Sequence, residues 1–390
     1  MPERLRAKIT PAILIWAREQ SHFTVEEAAK KIGVPTEMLA AWESSTAQPT
    51  ISQLRKTAHV YRYSLAVFFL SQPPLGKFQP IRDFRRFTDG VVPSVSSALQ
   101  LAIREAYDKR ESALDLFGML DEKPNEFTYT TTLNADPERV AAELRQYFGI
   151  GADDQLKWKD PQRAFTDVRL RFEHQGILVF QFSHISAGEA RGFSIGEFPL
   201  PSIVVNRTDT TAGRLFSLFH EVTHIALRNV GICNEFERSA PSRNVKKDVE
   251  VFCNYVAGAV LIPKKDLLGH PVVHGHGAKT WSIDDLGKIA LTIACSRYAL
   301  ARRLLIFDVI TPTVYDRLVA ELNEQFSRRP KQKGFISPAE NVVSLGGNVF
   351  PGLVLEAFSR DHISASTVSN YLGLKLKHLQ KVRSALDRAL

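Results

Sequence analysis

The sequence predicts an α+β multidomain protein. An all-α helix-turn-helix domain comes first, then a domain with a small sheet and an HExxH-bearing helix, then a helical C-terminal segment. Three observations carry this. Short capped helices follow one another over residues 10–70, the hydrophobic period switches from helix to strand near residue 176, and His220-Glu221-Val222-Thr223-His224 sits in a stretch of helical period. The expected boundaries are 1–75 for the helix-turn-helix domain, 76–150 for a helical connection, 151–310 for the HExxH domain and 311–390 for the helical C-terminal region.

Within 10–70, Thr24 and Glu27 have capping-box spacing, Val25, Ala28, Ala29 and Ile32 form one apolar face, and Gly33 ends the helix. Thr36 is expected to cap the next helix, which turns Leu39 and Trp42 inward, and Thr50 a third. SQPPLGKFQP (71–80) reads as a Pro-rich boundary. A long amphipathic helix is expected over 96–119. Another is expected over 137–148, with Asp136 as cap, Pro137 in the first turn and Gly149 at its end. After a helix from about 165, strands are expected at 176–182, 191–197 and 202–206. Helices are expected at about 211–228, 246–260 and 283–307. RRPKQKG (328–334) reads as a basic linker, and the tail from Phe350 as mostly helical. No clean repeat stands out.

Length and composition bound the function. At about 100–200 residues per domain, 390 residues make two or three domains. With 44% hydrophobic and 24% charged residues, the composition is that of a soluble protein. No apolar run approaches the ~18–20 residues of a membrane span, and MPERLRAKIT lacks a signal-peptide core, so a cytoplasmic protein without a membrane partner is expected. Cys233, Cys253 and Cys295 show no CxxC spacing, which fits a reducing compartment. The net charge of +8 divides into +5 over 1–90, −3 over 91–270 and +6 over 271–390. Basic ends are compatible with nucleic-acid contact, though soluble helical domains often carry as much.

The chemistry-bearing motif is HExxH. On a helix, His220 and His224 share a face and can bind one metal, while Glu221 can take a proton from water on that metal. Two imidazoles and a carboxylate suit Zn2+ with one open position. Glu250, on a following helix, is the leading third ligand, with Asn254 on the same face as its orienting neighbour. Glu235, Glu237, His270, His274 and His276 are the rivals. HPVVHGH (270–276) reads as a solvated loop or a cleft rim rather than a separate metal site.

The segment SIVVNRTDTTAGRLFSLFHEVTHIAL, followed by EVFCNYVAGAVLIP, resembles the ImmA/IrrE family of bacterial zinc metallopeptidase-like proteins over about 165–310. A strand ending in Asn206, a helix bearing Arg214, HExxH and a Glu-x-x-Cys-Asn helix carry the likeness. It implies a zincin-like metallopeptidase domain with His220, His224 and Glu250 as zinc ligands, Glu221 as general base, and a narrow protein substrate in a regulatory circuit. Cys253 and Val256 depart from the usual Ala and Phe, and neither is expected to touch the chemistry.

Ala29, Gly33 and Leu39, with Trp42-Glu43 and Pro49, resemble the Xre/Cro repressor family over about 10–70. In that fold the helix from Thr36 enters the major groove, so Thr36, Glu37, Ser44, Ser45 and Gln48 are the candidate DNA contacts. Arg4, Arg6, Lys30, Lys31, Arg55, Lys56 and Arg62 are candidates for phosphates. The reading helix has no Lys or Arg, which weakens specific base recognition. Dimerisation or partner holding is the competing role. DLGKIALTIACSRYALARRL (285–304) looks like a second helix-turn-helix-like element and is expected to pack as structure. The basic finish (Lys375, Lys377, Lys381, Arg383, Arg388) reads either as a solvated face or as an interaction surface.

Two functions compete. One is a regulatory zinc endopeptidase that binds double-stranded DNA and cleaves a partner such as a repressor or antitoxin. The other is a non-catalytic transcriptional regulator or antitoxin-like protein, whose peptidase fold binds metal or a partner. A homodimer is compatible with either.

Overall fold

The computed structural model describes residues 6–63, 65–73, 96–158, 160–228, 243–278, 280–293, 295–327 and 337–388. Among these, one compact unit reaches Asp108 and a second begins at Lys109. Most of the 71–80 boundary, the 328–334 linker, Arg4, Glu235 and Glu237 lie outside the described residues.

The first unit contains α1 (Pro11–Gln20), α2 (Val25–Ile32), α3 (Thr36–Glu43), α4 (Ile51–Tyr61), a 3-10 turn at Leu65–Phe69 and the first half of α5 (Ser97–Met119). Capping boxes start α2 at Thr24 and α4 at Thr50, each satisfying otherwise orphaned backbone N–H groups. Thr36 does not cap α3. Pro35 holds the extended N-cap position there, so Thr36 is already helical and its hydroxyl caps nothing. Ile13, Leu14, Ala28, Ile32, Leu39, Trp42, Leu54 and Tyr61 meet in one core. Arg18 donates to both carboxylate oxygens of Glu43, at 2.7 and 3.2 Å, and so fixes α1 against α3.

The second unit continues with α6 (Pro137–Tyr147), α7 (Ala152–Lys157), α8 (Pro161–His174), β1 (Leu178–Phe182), β2 (Gly192–Ile195), β3 (Ser202–Asn206) and α9 (Thr211–Arg228). Then come α10 (Arg243–Leu261), α11 (Lys264–Leu268), α12 (Pro271–His274), α13 (Ile283–Ile293), α14 (Arg297–Ile306) and α15 (Pro312–Ser327). The tail forms α16 (Pro338–Gly346), α17 (Val349–Ser359), α18 (Ala365–Leu372), a 3-10 turn at Leu376–His378 and α19 (Leu379–Asp387). The helical stretch expected over 283–307 is two helices, in keeping with its helix-turn-helix-like pattern over 285–304. The break comes where Ser296 turns extended and its hydroxyl caps α14 by accepting from the Ala299 amide. HPVVHGH is not simply a loop: His270 caps the one-turn helix α12, its Nδ1 accepting from the Val272 amide.

The sheet order is β1-β3-β2, with β1 parallel to β3 (Leu178 opposite Ser202) and β2 antiparallel to it (Gly192 opposite Val205). Asn206 locks its end: the buried amide donates to Ile185 O and Ala190 O at 3.0 and 2.7 Å, holding the turn into β2. Val179, Ile203 and Val205 of the sheet, Phe172 of α8, Leu215 and Phe219 of α9, and Val256 and Val260 of α10 share one core. Arg303 on α14 is buried as structure, paired with Glu138 on α6 at 2.7 Å. Among the described residues no single helix is long and apolar enough to cross a membrane. The apolar pair α16–α17 is bent by 115° and buries Phe350, Leu353 and Val354 within the unit.

Candidate metal centre

The α9 periodicity that buries Leu215, Phe219, Val222 and Ala226 also buries His220, Glu221 and His224, at 0, 3 and 7% exposure. Helical spacing stacks the two imidazoles one turn apart. Helix α10 packs along α9 and brings Glu250 to them. His220 Nε2 lies 3.4 Å from Glu250 Oε2, His224 Nε2 lies 3.2 Å from Glu250 Oε1, and the two Nε2 atoms are 3.1 Å apart.

That geometry fits a metal. Donors held ~2.0–2.1 Å from a tetrahedral zinc lie about 3.3–3.4 Å from one another. Three lone-pair donors converge here at such spacings, and among the described residues this is the group of His, Cys, Asp or Glu donors that does so. The electrostatics agree. Burial would raise the Glu250 carboxyl, but hydrogen bonds and charge from the two imidazoles hold it well below the usual carboxylate range. Burial likewise opposes protonation of His224, yet Cys253 and Glu250 at its ring outweigh it and its pKa rises. A cluster that draws in protons this way is one where a cation can replace them.

Glu221 sits beside β2: a Cβ built on Gly192 would lie 3.0 Å from Val204 O and 3.6 Å from Glu221 Oε1. The tight approach is to the neighbouring strand, and the distance to the carboxylate is an ordinary van der Waals contact. All four β2 residues are buried, so an extended peptide can pair along β2 only once its outer edge is uncovered.

Of the sequence-stated neighbours, Asn254 is exposed on α10, without a hydrogen bond to the ligands among the described residues. Cys253 corrects the reading that it stands clear of the chemistry. It is fully buried, and the neighbouring His224 pulls its thiol pKa down against the larger upward push of burial. The available signal was its i+3 spacing from Glu250, which puts both on one face. Arg214 donates to Gln181 Oε1 at 2.6 Å and to Thr211 Oγ1 at 2.8 Å, and burial lowers its pKa to about 10. His276 faces Asp285 at 3.2 Å, and His270 faces Thr292, so the His-rich segment has its own partners.

In the first unit Glu37, Ser44 and Ser45 are exposed and Thr36 is half-buried. Gln48 is engaged in packing: its Oε1 accepts from the Ile9 amide at 3.3 Å and its backbone carbonyl from Arg6 at 3.1 Å.

Residues 14–68 match the family model described as helix-turn-helix, and residues 172–304 the one described as IrrE N-terminal-like domain. Among curated proteins no relative matches the chain. The second match takes in α9, α10 and the whole donor set, and the first takes in α2 and α3. The chain thus joins an Xre-type helix-turn-helix to an IrrE/ImmA-like peptidase domain.

Proposed function

We propose that this chain is a regulator that binds double-stranded DNA through its N-terminal domain and acts as a zinc endopeptidase on a specific partner protein, such as a repressor or antitoxin. The supporting observation is the convergence of His220, His224 and Glu250 beside a buried Glu221. A zinc ion held by these three ligands would supply a Lewis acid for a peptide carbonyl and for water. Glu221 takes the proton of the attacking water on its carboxylate and returns it to the leaving amine. Cys253 steadies the His224 ring.

The burial of Glu221 and both imidazoles favours a latent form, in which a substrate enters only after the site is uncovered. Elemental analysis of the purified chain should find zinc, lost in His220→Ala. Glu221→Gln should keep zinc and stop the appearance of new N-termini in cells expressing the protein. No zinc after loading sinks the metallopeptidase reading. Regulation unchanged in Glu221→Gln replaces it with the non-catalytic one.

A further inference from the structure

The basic C-terminal region repeats the local architecture of the N-terminal helix-turn-helix at a constant offset of 340 residues. Thr24 and Ser364 cap α2 and α18, each hydroxyl accepting from the amide three residues on at 3.2 Å. Both helices are eight residues long. Each ends at a glycine in the left-handed region, Gly33 at φ 80° and Gly373 at φ 62°. Two residues on, Pro35 and Lys375 are extended at φ/ψ −58°/147° and −76°/142°. Each then accepts from the amide three residues ahead, Met38 at 3.1 Å and His378 at 3.0 Å. Three buried positions coincide as well, Ala28 with Val368, Ile32 with Leu372 and Trp42 with Val382, while Ser369 and Leu379 are half-buried where Ala29 and Leu39 are buried. Only Gly33/Gly373 and Leu39/Leu379 are identical over 24–43 and 364–383, which is why the sequence shows no repeat.

The two differ where a reading helix would meet a duplex. At the positions of Glu37, Ala40 and Ala41 the C-terminal element carries Lys377, Gln380 and Lys381, with Lys375 at the position of Pro35. All four are exposed, and none of the three lysines is in an ion pair among the described residues. Arg383 and Arg388 are exposed too: Arg383 lines a cavity of about 1000 Å³ with Asp167, Glu173 and Glu356, while Gln380 and Lys381 share a pocket with Glu340 and Arg388. The second helix of such a pair places its N-terminal residues at base edges. Lysine suits guanine O6/N7, glutamine suits adenine N6/N7, and lysines on the flank suit phosphates.

We propose that α18 and α19, the latter entered through the 3-10 turn at Leu376–His378, form a second helix-turn-helix, which docks double-stranded DNA through Lys375, Lys377, Gln380 and Lys381. This holds whether or not the N-terminal domain binds DNA.

The test is anisotropy of a fluorescent mixed-sequence 30-bp duplex with the full chain, across a salt series. Each lost phosphate contact lowers the salt slope by about 0.9, so Lys375→Gln/Lys377→Gln/Lys381→Gln should lower it by about 2–3 and weaken binding at least ~10-fold at ~0.1 M salt. Arg55→Gln/Lys56→Gln in the N-terminal domain should leave that share in place. A control with equal charge change, Lys123→Gln/Lys157→Gln/Lys265→Gln, should bind like the wild type. Acetylation footprinting of the wild-type chain should show Lys377 and Lys381 protected by duplex, which is independent of how the variants fold. Wild-type slope and affinity in the C-terminal triple variant overturn the proposal. So does an equal loss in the control, complete loss of binding on the N-terminal change, or no protection of the two lysines.

Discussion

Two buried polar clusters in the second unit show opposite chemistry. In one, His220, His224 and Glu250 turn lone pairs toward a common point at 3.1–3.4 Å from one another. In the other, Arg169 donates to Val179 O at 2.7 Å and Ser344 O at 3.0 Å, while the Glu173 carboxylate accepts from the Asn348 backbone and side-chain amides at 3.0 and 2.9 Å. The second cluster sets opposite charges against each other, Arg169 Nε 3.7 Å from Glu173 Oε1, and although that Nε makes no hydrogen bond the pair fastens α16 and α17 to α8 and β1. The first is acceptor-rich, and the chain itself does not balance it. Burial of polar groups therefore does not mark a functional site; an uncompensated excess of donors to a cation does.

The comparison can be broken by mutation. The largest effect is expected at the matched cluster. Glu173→Ala leaves Arg169 buried without its carboxylate and should cost about 3–5 kcal/mol, read as a lowered thermal midpoint. His220→Ala should cost less stability than that, because it relieves a crowded set of acceptors, yet it should weaken zinc binding more than ~100-fold in chelator competition. If His220→Ala proves the more destabilising of the two, the distinction fails. Cys253→Ala should weaken zinc binding by about 10–100-fold through a less fixed His224, whereas Asn254→Ala should leave it unchanged. Equal effects would remove Cys253 from its positioning role.

The smallest effect is a pH dependence away from both clusters. Hydrogen bonds from Ser282 hold the Asp285 carboxyl at about 2, below its ordinary 3.8, with Lys288 and His276 adding to the pull. A folded-state value below the unfolded one means a contribution present above 3.8 and lost as pH falls toward about 2. Thermal midpoints should show that loss in the wild type and a flatter response in Ser282→Ala.

The readable features were those set by local rules. The caps at Thr24, Thr50 and Asp136, the stop at Gly33 and the HExxH helix follow from nearest-neighbour backbone chemistry and helical period. The misread ones needed a neighbour. Pro35 takes the cap position from Thr36. Cys253 looked neutral because its partner is 29 positions away in sequence, on another helix. The C-terminal copy escaped because burial and cap chemistry, not residue identity, are what it shares with residues 24–43.

By itself the sequence determined the element types, the pairing of His220 with His224 on one helical face, and the basic ends with a mildly acidic middle, since all of these depend on spacing and composition alone. The packing of α10 on α9 decided that Glu250 completes the donor set and that Cys253 stands behind His224 while Asn254 faces outward. The fold of the tail decided which carboxylates its exposed cations lie near, Glu340 for Lys381 and Arg388 and Glu173 and Glu356 for Arg383. Both are matters of which faces meet, and a one-dimensional pattern fixes the face of a helix without fixing what lies against it.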